Sequence, residues 1–273
     1  KPMLITSPSN PRIKNVVRLT TNRRHRDQEQ LTVVEGSREV RRCLDAGIVP
    51  REIYICPKLV APGDQDIADR LSQYPIHNTQ YTTVPPEIFA KIAVRSDSGG
   101  ILLVIPYTQT ALDDLPLSAI PFLVVVEGAE KPGNVGAILR SADAAGVDGL
   151  ILCAGGTDLH NPNVIRASLG TRFTVPCAEA PTAEVLAWLR QRGIAAVAAT
   201  PDGAAVYTKT DLTGPVAIVT GSEAEGLSQE WLAGADARVT IPMRGVADSL
   251  NLATSTTILL YEVVRQRENV SAR

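Results

Sequence analysis

Phe122-Leu-Val-Val-Val-Glu-Gly-Ala-Glu-Lys-Pro-Gly-Asn-Val-Gly-Ala-Ile-Leu-Arg140 decides the fold. Its first five residues are uninterruptedly apolar and read as a strand buried on both faces. A turn rich in Gly and Pro follows. The apolar spacing then changes to that of a helix over 134–145, which Gly146 closes. The same alternation recurs toward the C-terminus. Strands are expected at 149–153, 194–199, 216–220 and 238–241, and helices at 162–169, 183–192 and 250–266. Apolar strands alternating with helices predict an α/β fold with a parallel sheet covered on both faces. Such sheets bind ligands beyond the carboxyl ends of their strands.

Upstream, the pattern predicts a smaller α/β unit. Strands are expected at 31–36, 52–56 and 100–105. Helices are expected at 38–46, capped by Ser37 and stopped by Gly47, and near 64–72. Residues 5–28 read as an arm with a polar helical pattern. Residues 107–121 carry Pro116 and Pro121 with little periodicity and read as a linker. The expected division is 1–106 for the arm and first domain, 107–120 for the linker and 121–273 for the second domain.

Composition narrows the class. The 273 residues are 44% hydrophobic and 21% charged, an ordinary globular balance. Aromatics at 4% argue against an aromatic-rich β-sandwich. A net charge of −2 gives no global sign of a nucleic-acid partner. Its distribution does: Lys1, Arg12, Lys14, Arg18, Arg23, Arg24 and Arg26 face only Asp27 and Glu29 in the first thirty residues. That excess suits phosphate contacts, and equally a solvated helix face. Cys43, Cys56, Cys153 and Cys177 are widely spaced, and His25, His77 and His160 do not cluster with them. Neither a metal site nor a disulfide framework is expected. Reduced thiols, no apolar run of ~18 residues and no signal-peptide core predict a cytoplasmic protein with no membrane association.

Three loops follow apolar strands. In the first, Gly133 and Gly136 flank a helix start, Asn134 falls where a cap would sit, and Arg140 lies within two turns. A helix N-terminus welcomes an anion, although a plain cap and a surface charge explain the same residues. The loop is neither a dinucleotide fingerprint nor a Walker loop, so a dehydrogenase reading lacks support. In the second, Thr220-Gly-Ser-Glu-Ala-Glu-Gly-Leu227, Gly221 would let a ligand approach the backbone and Glu223 is presented at the sheet's carboxyl edge. A Ser222 cap with Glu223 favouring the helix dipole is the simpler alternative. In the third, Ile241-Pro-Met-Arg-Gly-Val-Ala-Asp-Ser-Leu-Asn-Leu252, Ser249 and Asn251 stand where an apolar helix begins, and could be a loop and its cap.

Taken in order, Asn134-x-Gly-x-x-x-Arg140, Gly221-Ser-Glu-x-x-Gly226 and Ile241-Pro-Met243 with Ser249-Leu-Asn251 resemble the three motifs of the SpoU/TrmH family of RNA ribose methyltransferases, within the SPOUT superfamily. The resemblance spans 122–267. Ile5-Thr-Ser-x-x-Asn-Pro11 and Val34-Glu-Gly36 resemble the ribosomal-protein-like substrate-binding domain of two-domain members.

The resemblance implies an α/β trefoil knot, which base rates alone would argue against. It implies S-adenosylmethionine held at Gly221, Ile241 and Leu250, with Thr200 and Met243 as neighbours, and no metal. It implies a homodimer in which Arg140 and the cofactor come from different protomers. Asn134, Arg140, Glu223, Ser249 and Asn251 form the implied catalytic set. Arginine is often cast as the base in this family, yet a free arginine gives up its proton only far above neutral pH. Arg140 is therefore expected to stay charged and hold RNA phosphate and developing alkoxide, with Asn134 orienting it. Glu223 is expected to organise Arg140 or Asn134, and Ser249 and Asn251 to fix cofactor and ribose. Arg23, Arg24 and Arg26 are expected to contact RNA. The two-domain layout favours large-subunit (23S) ribosomal RNA. Transfer RNA, a base methyltransferase on a related knot and a non-catalytic RNA-binding protein are the alternatives. A housekeeping role and one in antibiotic resistance both stay open.

Overall fold

Short aliphatic and β-branched runs form twelve strands among the described residues, joined by ten α-helices. The computed structural model describes residues 3–74, 79–95 and 98–271; Lys1 and His77 lie outside them. The chain divides into two units, Lys1–Thr108 with His160–Thr174, and Gln109–Leu159 with Val175–Arg273.

The first unit contains β1 (Met3–Leu4), α1 (Pro11–Thr21), α2 (Arg23–Glu29), β2 (Leu31–Glu35), α3 (Ser37–Asp45), β3 (Glu52–Ile55), α4 (Gln65–Ser72), β4 (Gln80–Thr83), α5 (Pro86–Ile92) and β5 (Ile101–Pro106). Its sheet runs β1-β4-β3-β5-β2, with β5 antiparallel to both neighbours. The expected arm is part of this unit's core. Asn10 Oδ1 accepts from Arg12 N at 2.9 Å and Pro11 opens α1. Ile13, Val16 and Leu19, three residues apart, are then buried beside Tyr54 and Phe89. Strand β4 and helix α5 were not expected. Ser37 does not cap α3; Gly36, at φ 102°, is the cap residue and Ser37 the first helical one. Residues 160–174 pack here too: Arg166 Nη1 lies 2.8 Å from Glu35 Oε1, and Arg42 Nη1 donates to Leu169 O at 2.7 Å.

The second unit contains β6 (Phe122–Glu127), α6 (Pro132–Ala145), β7 (Gly149–Cys153), β8 (Cys177–Glu179), α8 (Thr182–Arg192), β9 (Ala195–Ala199), β10 (Ala205–Val206), β11 (Val216–Thr220), α9 (Gln229–Gly234), β12 (Ala237–Thr240) and α10 (Leu252–Ser271), with α7 (Pro162–Ala167) falling in the first unit. All seven strands are parallel, in the order β10-β12-β9-β11-β6-β7-β8. Strands β8 and β10 and helix α9 were not expected. Within the stretch read as a linker, a short 3₁₀ turn at Leu112–Asp114 docks on this core: Leu112 and Leu115 are buried in it, and Asp113 Oδ1 accepts from Trp188 Nε1 at 2.9 Å.

The strand order positions the site. After β8 the chain crosses to β9 and leaves a place that β11 fills, between β9 and β6. The carboxyl ends of β12, β9 and β11 therefore open side by side, at a reversal of strand order where open sheets bind ligands. Helix α10 packs against α6 and β11, with Ser141 Oγ 2.7 Å from Thr257 Oγ1.

All four cysteines are buried and none forms a disulfide. Burial pushes the Cys43 and Cys153 thiols up to about 12. No described helix is long and apolar enough to cross a membrane, and no described His, Cys, Asp and Glu side chains group as metal ligands would.

Candidate active site

The turns after β9, β11 and β12 enclose a cavity of about 830 Å³. Thr200, Gly221, Ile241, Met243 and Leu250 all line it, as do Glu223 and Ser249. Asn134, Arg140 and Asn251 do not.

Asn251 joins the first of these to the cavity. It precedes α10, and its Oδ1 accepts from the Ala253 and Thr254 amides at 3.0 and 3.3 Å, an N-cap. The cap commits the carbonyl to the helix, so the side-chain NH₂ must face away. It donates to Glu223 Oε1 at 2.9 Å and to Asn134 Oδ1 at 3.1 Å. One residue thus ties all three loops together. Glu223 Oε2 lies 3.0 Å from Lys131 Nζ. The Lys131 ammonium first, then the Asn134 amide, hold the Glu223 carboxyl below the usual carboxylate range. Glu223 is bonded to Asn251, Lys131, Asn134 and the Leu252 backbone amide, and to no arginine among the described residues.

One placement differs from the sequence reading. Asn134 is not the cap of α6: Lys131 is the cap residue and Asn134 the third helical residue, because Pro132 starts the helix earlier. The missing Cβ of Gly221 is needed by the turn itself. A Cβ there would stand 2.2 Å from the Gly226 carbonyl carbon, so the 221–226 turn requires a glycine at this position, and Gly221 also lines the cavity.

Arg140 is exposed on α6, and no described residue hydrogen-bonds or ion-pairs with it. Arg23 and Arg24 are exposed on α2, Arg23 within 3.7 Å of Asp27. Arg26 departs from the expected phosphate contact. It is 3% exposed and donates to Leu19 O at 3.1 Å, so it holds the turn between α1 and α2 from inside.

Sequence reasoning missed two residues. Lys131 is one. The other is Glu127, at the end of β6, which accepts from Thr182 Oγ1 at 2.9 Å and from Ser228 N at 2.7 Å. It anchors the chain that leaves the second loop. A lone carboxylate at a strand end is the only signal, and it resembles any exposed acid.

The lining suits a nucleoside-bearing cofactor. No backbone N–H or C=O from Ile241 to Leu250 bonds to another described residue, so this loop offers a row of donors and acceptors around the cavity. Ile241 and Leu250 supply half-buried apolar surface beside them. S-adenosylmethionine, with an adenine edge to read and an apolar face to cover, fits this donor set.

Comparison with known proteins agrees with the geometry. Residues 121–261 match the SpoU rRNA methylase family and residues 10–103 match the MRM3-like substrate binding domain. The chain belongs to the SpoU rRNA methylase family. A 23S rRNA (uridine(2479)-2′-O)-methyltransferase of Streptomyces viridochromogenes is 33% identical over 69% of this chain and 68% of its own. The crystal structure of the SpoU methyltransferase AviRb from Streptomyces viridochromogenes with the cofactor AdoMet superposes with a TM-score of 0.87 at 28% identity, covering 95% of this chain and 98% of that one. An AdoMet-bound rRNA methyltransferase from Sinorhizobium meliloti gives 0.85 at 31% identity, covering 96% and 97%.

Proposed function

We propose that this chain transfers a methyl group from S-adenosylmethionine to a ribose 2′-hydroxyl of RNA, with large-subunit (23S) ribosomal RNA as substrate, and works as a homodimer. The observation that carries this reading is the Asn251 junction, which puts Asn134 and Glu223 at the rim of the cavity between β9, β11 and β12.

When bound, the cofactor supplies an electrophilic methyl group on a sulfonium. The loop 241–250 would hold it through backbone groups, with Thr200, Gly221, Ile241, Met243 and Leu250 around it and Ser249 at its edge. Glu223, ionised at neutral pH beside Lys131, is a weak proton acceptor and serves to orient Asn251 and Asn134. Arg140 presents an exposed guanidinium able to take a phosphate and a developing alkoxide in a forked contact. It does not line its own chain's cavity, which favours its serving the cavity of the second protomer. Arg23 and Arg24 would hold RNA phosphates elsewhere.

Incubation of the protein with methyl-labelled cofactor and 23S ribosomal RNA, followed by mapping of the methylated nucleotide, tests the reading. Label on a ribose supports it; label on a base, on transfer RNA alone, or nowhere contradicts it. Housekeeping modification and protection against an antibiotic share this chemistry, and drug sensitivity of cells with and without the gene separates them.

A further inference from the structure

Helix α6 begins with a cation in the wrong place. Lys131 is its N-cap residue, makes no side-chain cap bond, and stands at the positive end of the helix dipole. Ser, Thr, Asp or Asn is the favoured residue there. The lysine instead reaches across to the second loop, where its ammonium lies 3.0 Å from Glu223 Oε2. The other oxygen of the same carboxylate accepts from Asn251. Lys131 also belongs to the turn that carries Asn134: its carbonyl accepts from Asn134 N at 3.0 Å. Backbone and side chain of one residue therefore hold both partners of the Asn251 amide.

We propose that Lys131 is a positioning residue for methyl transfer, fixing Glu223 as an oriented, ionised acceptor so that Asn251 and Asn134 keep their directions at the cavity rim. This rests on the methyltransferase reading above and adds to it the residue that sets the state of Glu223. The charge balance makes the dependence concrete. Asn251 offers only donors toward Glu223, because the helix cap occupies its carbonyl. Protonation would turn one of the two Glu223 oxygens into a donor, leaving one oxygen to accept from Asn251, Lys131 and Asn134. Lys131 opposes that protonation, and its ammonium is the charged group in direct contact with the carboxylate. Glu225 and Asp248 line the same cavity, Arg244 belongs to the 241–250 loop and Glu130 precedes Lys131, but Lys131 is the charge in contact with the Glu223 carboxylate.

The test compares wild type with Lys131→Met, which keeps the aliphatic stem, and Lys131→Arg, which keeps the charge. Two readouts are taken. The first is NMR titration of the Glu223 carboxyl in the RNA-free protein; the second is the pH profile of methyl transfer with cofactor KM and kcat separated. Lys131→Met is expected to move both the carboxyl titration and the acid limb of kcat to higher pH. It should lower kcat at neutral pH about two- to fivefold, the scale of an exposed ion pair, and leave cofactor KM unchanged. Lys131→Arg should restore both. An unmoved titration, or a moved titration with an unmoved acid limb, overturns the proposal. Wild type without any methyl transfer would defeat the methyltransferase reading instead, and the RNA-free titration still decides whether Lys131 controls Glu223.

Discussion

The side-chain amide nitrogen of Asn251 lies 3.1 Å from Asn134 Oδ1, although the two residues are 117 positions apart. Each alone has an ordinary structural explanation, as a cap or as a helix-start residue. Their contact does not, because Asn251 already satisfies the cap with its carbonyl oxygen. The remaining NH₂ has a task of its own, and this separates helix stability from site geometry.

Asn251→Ala should lose both. The missing cap should cost about 1 kcal/mol of stability, measured by denaturant unfolding, and methyl transfer should fall about tenfold or more. Asn251→Asp keeps the capping acceptor and places a carboxylate against Glu223. It should recover most of the stability and none of the rate.

Arg140→Ala should reduce methyl transfer about 100- to 1,000-fold, the scale of losing a donor to a developing oxyanion. Cofactor affinity, read by calorimetry, should stay nearly unchanged. A parallel collapse of cofactor binding would remove Arg140 from the assigned role.

Replacing Arg23 and Arg24 together by Ala should flatten the salt dependence of RNA binding by about two units of slope. Arg26→Ala should leave that slope in place. Its cost should be stability, about 1–3 kcal/mol, because a buried hydrogen bond to Leu19 O is lost.

Gly221→Ala should destabilise the turn by about 1–3 kcal/mol, since its Cβ would stand 2.2 Å from the Gly226 backbone. Cofactor affinity should fall with it. Loss of affinity at unchanged stability would instead point to direct ligand contact at this glycine.

Glu223 also links stability to pH. Its carboxyl is held down, by Lys131 first, so the contribution is present above the unfolded carboxyl's ordinary range and disappears as pH falls through the lower folded value. The group is partly exposed and the contribution should stay under about 1 kcal/mol. Wild type should exceed Glu223→Gln in stability at pH 7 and lose that lead in acid, as denaturant midpoints across pH will show.

The parallel sheet was legible because β6, β7 and β11 are mostly apolar runs without alternating polar residues, the pattern expected of strands buried on both faces. Strands of two or three residues, β10 and β8, are too short to show a period. Helix α9 escaped because Trp231 alone is buried among its residues. The burial of Arg26 was hidden by the polarity of α2, whose inward contact is to a backbone carbonyl rather than to an apolar partner. The start of α6 lies at Pro132 rather than Asn134, because a proline at the first helical position pre-sets the helix while Asn134 only resembles a cap. The motif residues were legible singly; the Lys131–Glu223 and Asn251–Asn134 contacts join distant loops, and no local rule encodes them. A trefoil knot likewise has no periodic signature and entered through the motif resemblance.

The most direct measurement is the position of a transferred methyl group. Purified protein, labelled S-adenosylmethionine and 23S ribosomal RNA should yield one nucleotide methylated on its ribose O2′, with the label lost in Arg140→Ala and strongly reduced in Asn251→Asp. A methyl on a base, or undiminished transfer by both variants, would contradict a site built on the meeting of Asn134, Glu223 and Asn251.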